Sequence, residues 1–64
     1  MLSPVVGGWY IDLEYHALFV GVDLDPYTLN LETLDLVGEV SEYDLVAWRE
    51  MLLLRADAPE DWRN

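Results

Sequence analysis

From Trp9 onward the side chains alternate. Trp9, Ile11, Leu13 and Tyr15 share one parity, and Tyr10, Asp12, Glu14 and His16 share the other. A period of two marks a strand with one face buried, so residues 9–15 are predicted to form one. In the second run, residues 17–24, Leu18, Val20, Val22 and Leu24 oppose Phe19, Gly21 and Asp23. The two runs predict an antiparallel hairpin that turns near residues 15–17, although no Asn-Gly or Asp-Gly marks the turn.

Asp25-Pro26 ends the second strand, because proline has no ladder donor and restricts the residue before it. Leu29 and Leu31 then alternate, and the pattern resumes one residue out of phase at Leu34 and Leu36. A bulge near Glu32-Thr33, or a tight turn there, accounts for the slip. The alternation favours strand over residues 26–37, with a helix capped by Asp25 and opened by Pro26 as the competing reading. Next, Ser41 and Asp44 resemble a capping box, Glu42 and Asp44 suit the positive end of a helix, and Leu45, Trp48, Leu52 and Leu53 fall near one stripe. These features predict a helix over 42–56, stopped by Ala58-Pro59. The expected architecture is a single α+β domain over 1–64: a lead-in at 1–8, a mainly β region at 9–40 forming a small antiparallel sheet of about three strands, one C-terminal helix at 42–56 packed on its apolar face, and a tail at 57–64 that stays short and exposed unless Trp62 docks. On this parity Trp9 faces the helix together with Trp48.

Length changes the picture, because a core built from 64 residues is marginal without disulfides, metal or a partner. There is no cysteine, which removes disulfides and thiolate metal sites alike. The hydrophobic share of 53% is too high for a disordered acidic tail and leaves apolar surface for a partner, a second copy of the chain included. The longest uncharged run is the first 11 residues, too short for a membrane span and without the basic start of a signal peptide. A cytoplasmic protein with no membrane association is expected.

Catalysis is a poor reading. His16 is the single histidine, there is no cysteine or lysine, and Ser3 and Ser41 have no base beside them. Pairs such as Asp12 with Glu14 or Asp23 with Asp25 carry the chemistry of a glycosidase, but so short a chain leaves little room for a cleft. The stretch DLDPYTLNLETL begins like a calcium loop, then has Tyr27 at the third ligand position and Leu34 at the bidentate one. No enzyme, no cofactor and no metal site is expected. Direct nucleic-acid binding is disfavoured by a net charge of −10.

That charge carries the functional expectation. Nine carboxylates, Asp12, Glu14, Asp23, Asp25, Glu32, Asp35, Glu39, Glu42 and Asp44, precede the first cation, Arg49. A face built only for solubility normally intersperses both signs. If the apolar parity of each strand meets the helix, Asp12, Glu14, Asp23 and Glu32 project together from the other face, roughly 6.6 Å apart along a strand, and Asp35, Glu39, Glu42 and Asp44 extend the negative surface. In length, acidity, lack of cysteine and α+β pattern the chain resembles small phage-encoded inhibitors that mimic nucleic acid, anti-CRISPR proteins among them. The resemblance is one of composition over the whole chain and carries over no residue by motif. It implies an inhibitor whose nine carboxylates face a basic nucleic-acid-binding protein or complex, a CRISPR surveillance complex being one such partner. An antitoxin or immunity protein against a basic nuclease, and a small self-assembling structural protein, are the alternatives.

Overall fold

The computed structural model describes residues 2–60. In chain order it contains β1 (Trp9–Asp12), β2 (Ala17–Leu24), β3 (Leu31–Asp35), β4 (Val40–Tyr43), α1 (Leu45–Glu50) and β5 (Leu53–Ala56). The strands form one antiparallel five-stranded sheet in the order β4-β3-β2-β1-β5. The expected architecture of about three strands with a C-terminal helix is therefore wrong. The fold is mostly β, and its one described helix is a six-residue insert between the last two strands.

The reason lies at the free edge of β1. A helix over 42–56 would leave the outer N–H and C=O groups of β1 without ladder partners, and such an edge is costly if buried and sticky if exposed. Residues 53–56 satisfy it instead: Trp9 pairs with Ala56 and Asp12 with Leu53, and the Leu13 N–H donates to the Leu52 carbonyl at 2.8 Å. The helix starts later than expected because Val40–Tyr43 pairs with β3. Its N-cap is Asp44, not Ser41, and the Asp44 carboxylate accepts the Ala47 N–H at 2.8 Å. Its end comes at Met51, which turns extended.

The antiparallel hairpin of β1 and β2 forms, but β1 ends at Asp12 instead of residue 15, and the turn spans residues 13–16, in which His16 takes a left-handed φ of 56°. No bulge or turn lies at Glu32-Thr33, where β3 runs unbroken and sets Leu31 and Leu34 on opposite faces. The bulge is in β2, between Gly21 and Asp23, and β3 ends in a turn at residues 35–38 that closes on Gly38. The extended reading of the third segment holds for residues 31–35, preceded by a turn in which the Asp25 carbonyl accepts the Leu29 N–H.

The parity of the hairpin is inverted relative to expectation. Tyr10 and Phe19, not Trp9 and Val20, meet the helix. Tyr10, Phe19, Leu31 and Trp48 make the core cluster, with Leu2, Leu24, Met51 and Leu53 packed around it. The Trp48 ring stands edge-on to Tyr10 at 4.9 Å and to Phe19 at 6.2 Å, the arrangement that aromatic quadrupoles favour. Trp9 is buried too, on the opposite face, so the two tryptophans do not share a core. The helix-facing parity carries Tyr10 and Asp12 in β1 and Ala17, Phe19 and Gly21 in β2, fewer apolar residues than the other, so alternation alone points to the wrong face.

Residues 2–8 are tied to the sheet. Gly7 donates to the Gly21 carbonyl and Gly21 to the Gly8 carbonyl, while the Tyr10 hydroxyl accepts the Val5 N–H and donates to the Ser3 carbonyl. Gly21 is required there, since a β-carbon at this position would lie 2.6 Å from the Val5 carbonyl oxygen. The end of the expected tail, Asp61 and Trp62 included, lies outside the described residues.

Candidate interface

Four of the nine carboxylates build the turns of the fold. Asp12 Oδ1 accepts the N–H groups of Glu14 and Tyr15, Asp25 Oδ1 those of Tyr27 and Thr28, Asp35 Oδ1 those of Val37 and Glu39, and Asp44 Oδ1 that of Ala47. Aspartate does this because its short side chain reaches the backbone two or three residues on. The two N–H groups hold the Asp25 carboxyl below its ordinary value. Part of the acidity of the chain is thus a solution to turn formation, with an aspartate at or just past the end of each of the first four strands.

The expected solvent row of Asp12, Glu14, Asp23 and Glu32 does not form. Asp12 is only 8% exposed and shares the helix-bearing face with Tyr10, and Glu14 sits in the turn beyond the strand. In place of that row, register aligns a different set: Asp23 opposes Glu32, and Glu32 opposes Glu42, on three successive strands. Directly opposed side chains in a sheet lie on one face with β-carbons about 5 Å apart. These three carboxylates therefore run across the sheet, perpendicular to the strands, on the face that α1 does not cover. Glu42 also accepts a bond from the Asn30 amide at 3.4 Å. Asp35 and Glu39 join Asp12 around a pocket on the helix-bearing face, away from the row.

Beside the row the same face is apolar. Register places Leu18, Val20 and Leu34 next to Trp9 and Ile11, with Val40 and Leu54 on the two edge strands. Trp9 and Val20 are buried, Ile11, Leu18 and Leu34 half-buried, and Val40 and Leu54 more than half exposed. Sequence reasoning missed this strip because it assigned that parity to the core. Among the described residues no carboxylate is ion-paired with Arg49 or Arg55, and no group of three potential ligands converges on a metal position. No helix among these residues is long and apolar enough to cross a membrane.

The chain belongs to a family of unknown function, DUF6763, whose model matches residues 1–64. No curated protein and no solved structure matches it.

Proposed function

We propose that the protein is a small binding module whose Asp23, Glu32 and Glu42 row, with the apolar strip beside it, engages the basic surface of a nucleic-acid-handling protein in the cytoplasm. The observation that carries this reading is the alignment of three carboxylates on adjacent strands. Like charges placed directly opposite one another destabilise a sheet, and here no cation of the described chain relieves them. A basic partner that binds only the folded form would offset that cost through linkage. Its arginines and lysines normally hold phosphates, so the module would act as an inhibitor by occupying the site in place of nucleic acid, as anti-CRISPR proteins and nuclease-blocking immunity proteins do. The exposed Val40 and Leu54 favour a second reading, self-association through the strip.

Reversing Glu32 and Glu42 to lysine tests the first reading. Partners captured at low salt by the parent should be released by salt and by competing DNA. The reversed protein should lose them, and a control with Asp57 and Glu60 reversed should keep them. Equal losses from both variants would reduce the effect to overall charge and remove the row from the mechanism. Light scattering on the parent separates the second reading, which requires a dimer in the absence of any partner.

A further inference from the structure

The two edges of the sheet are finished differently. β4 is bounded by charge: Glu39 precedes it, Glu42 lies within it and Asp44 follows it. Charged side chains of this kind keep an edge strand from pairing with another chain. β5 has no such guard. Residues 51–56 contain no carboxylate, lysine or proline, the pairing of β5 with β1 runs without a bulge, and the one charge of the segment is Arg55. On a chain of net charge −10, β5 is the edge at which two copies repel each other less.

Ladder parity fixes what β5 offers. Opposed residues of antiparallel strands alternate between pairs that exchange hydrogen bonds and pairs that do not. The Leu13 N–H donates to the Leu52 carbonyl, so Leu52, Leu54 and Ala56 direct their backbone groups at β1, and Leu53 and Arg55 direct theirs outward. Among the described residues nothing takes these outward groups. Leu52 and Leu54, 64% and 55% exposed, project from the face that α1 does not cover, Leu54 beside Ile11.

An exposed edge of this form accepts an extended strand, and a second β5 fits it. In a symmetric antiparallel pair the twofold axis passes through Leu53, Leu54 or Arg55. Centred on Arg55, the pair opposes like charges. Centred on Leu53, it sets Arg55 against Met51, whose N–H is already donated to the Trp48 carbonyl. Centred on Leu54, it lets Leu53 of each copy exchange both hydrogen bonds with Arg55 of the other. Leu54 then meets Leu54 in a non-hydrogen-bonded pair, where side chains come closest, and Leu52 lies opposite Ala56 of the other copy. Both exposed leucines gain an apolar neighbour.

We propose that the protein forms a symmetric dimer by antiparallel pairing of β5 with β5 of a second copy, in the register centred on Leu54. The interface uses the same patch of both copies, as a closed twofold dimer requires. It goes beyond the proposed function and stands or falls independently of it, because Asp23, Glu32 and Glu42 lie on β2, β3 and β4, and each copy still presents that row. It also differs from self-association through the apolar strip, since Val40 sits on the far edge of the sheet, outside the joined strands.

The test combines sedimentation with amide hydrogen exchange on the full chain. At concentrations of about 1 mM the mass should be twice the 7.4 kDa of the chain, falling towards a single chain on dilution. Leu54→Lys opposes two ammonium groups across the axis while making the chain less negative, so the expected rise in dissociation constant, at least about tenfold, is not an effect of overall repulsion. Arg55→Pro removes an outward donor and leaves the ladder to β1 intact, and it should weaken the dimer likewise. Should it fail to fold, Leu54→Lys alone carries this arm. Val40→Lys is the control and should dimerise like the parent. Hydrogen exchange should protect the Leu53 and Arg55 amides in the dimer, and dilution should release them before any amide of β1. A monomer at every concentration, a dimer that Val40→Lys breaks and Leu54→Lys leaves intact, or a parent dimer whose Leu53 and Arg55 amides exchange freely would each overturn the proposal.

Discussion

The indole N–H of Trp48 donates to the carbonyl of Leu2 at 2.7 Å, joining residues 46 apart in the chain. This bond seals the core where the helix meets the N-terminal arm, and it makes Trp48 both a packing and a polar anchor. Trp48→Phe keeps an aromatic ring but leaves the Leu2 carbonyl without its donor. It should cost about 1–3 kcal/mol. Trp48→Ala also removes the edge-on contacts to Tyr10 and Phe19 and should cost about 3–5 kcal/mol, enough to unfold a domain of this size. Urea unfolding of the two variants checks the order; a Trp48→Phe variant as stable as the parent would mean that the indole bond contributes nothing.

Gly21→Ala should destabilise by roughly 1–3 kcal/mol, the range for forcing atoms into occupied space. The new methyl would meet a backbone oxygen, that of Val5, which gives way only if the arm moves. Hydrogen exchange should show the Gly7 and Gly21 amides losing protection first, since their bonds join arm and strand. A variant as stable as the parent would place the arm away from β2.

The Asp25 turn makes a pH-dependent contribution of known sign. Two backbone N–H groups lower its carboxyl below the ordinary value of 3.8. A depressed folded-state pKa means stability that is fully present above the unfolded value and lost as pH falls through the folded one. Asp25→Asn retains the turn acceptor but does not titrate. The stability gap between parent and variant should therefore be constant near neutrality and close as pH falls below about 4. Denaturation midpoints across that range check it, and a gap that widens in acid would reverse the assigned cause.

Neutralising the middle of the carboxylate row should stabilise the protein while weakening its proposed binding. Glu32 opposes both Asp23 and Glu42, so Glu32→Gln removes two like-charge contacts, each on the scale of roughly 0.2–1 kcal/mol. The gain should be largest at low ionic strength and shrink as salt screens the parent, whose own melting temperature should rise with moderate salt. Thermal melts of both proteins at two salt concentrations decide the matter. A destabilised Glu32→Gln would mean that the row is compensated within the chain.

The hairpin was legible because residues 9–24 carry a period of two for which no helix competes. The acid excess was legible as a count but not as a surface. Reading Asp12, Asp25, Asp35 and Asp44 as equivalent interface charges overlooked that each stands at the end of a strand and begins a turn or helix. Glu32 and Glu42 are neighbours only through a register that depends on a turn at residues 35–38, which the alternation of leucines conceals.

By itself the sequence determined the extended character of residues 9–12, 17–24 and 31–35, the turn-forming role open to its aspartates, and a charge that the chain does not neutralise. These follow from side-chain periodicity, local hydrogen bonding and composition, which act over a few residues. Tertiary structure decided three things. It made residues 53–56 a strand, because the open edge of β1 offered ladder bonds that a longer helix would have forfeited. It chose Tyr10 and Phe19 over Trp9 and Val20 as the helix-facing pair, because the edge-on packing of Trp48 against their rings is a long-range contact that alternation along the chain does not encode. It set Asp23, Glu32 and Glu42 side by side, because cross-strand register is a long-range property that a bulge of one residue in β2 is enough to shift.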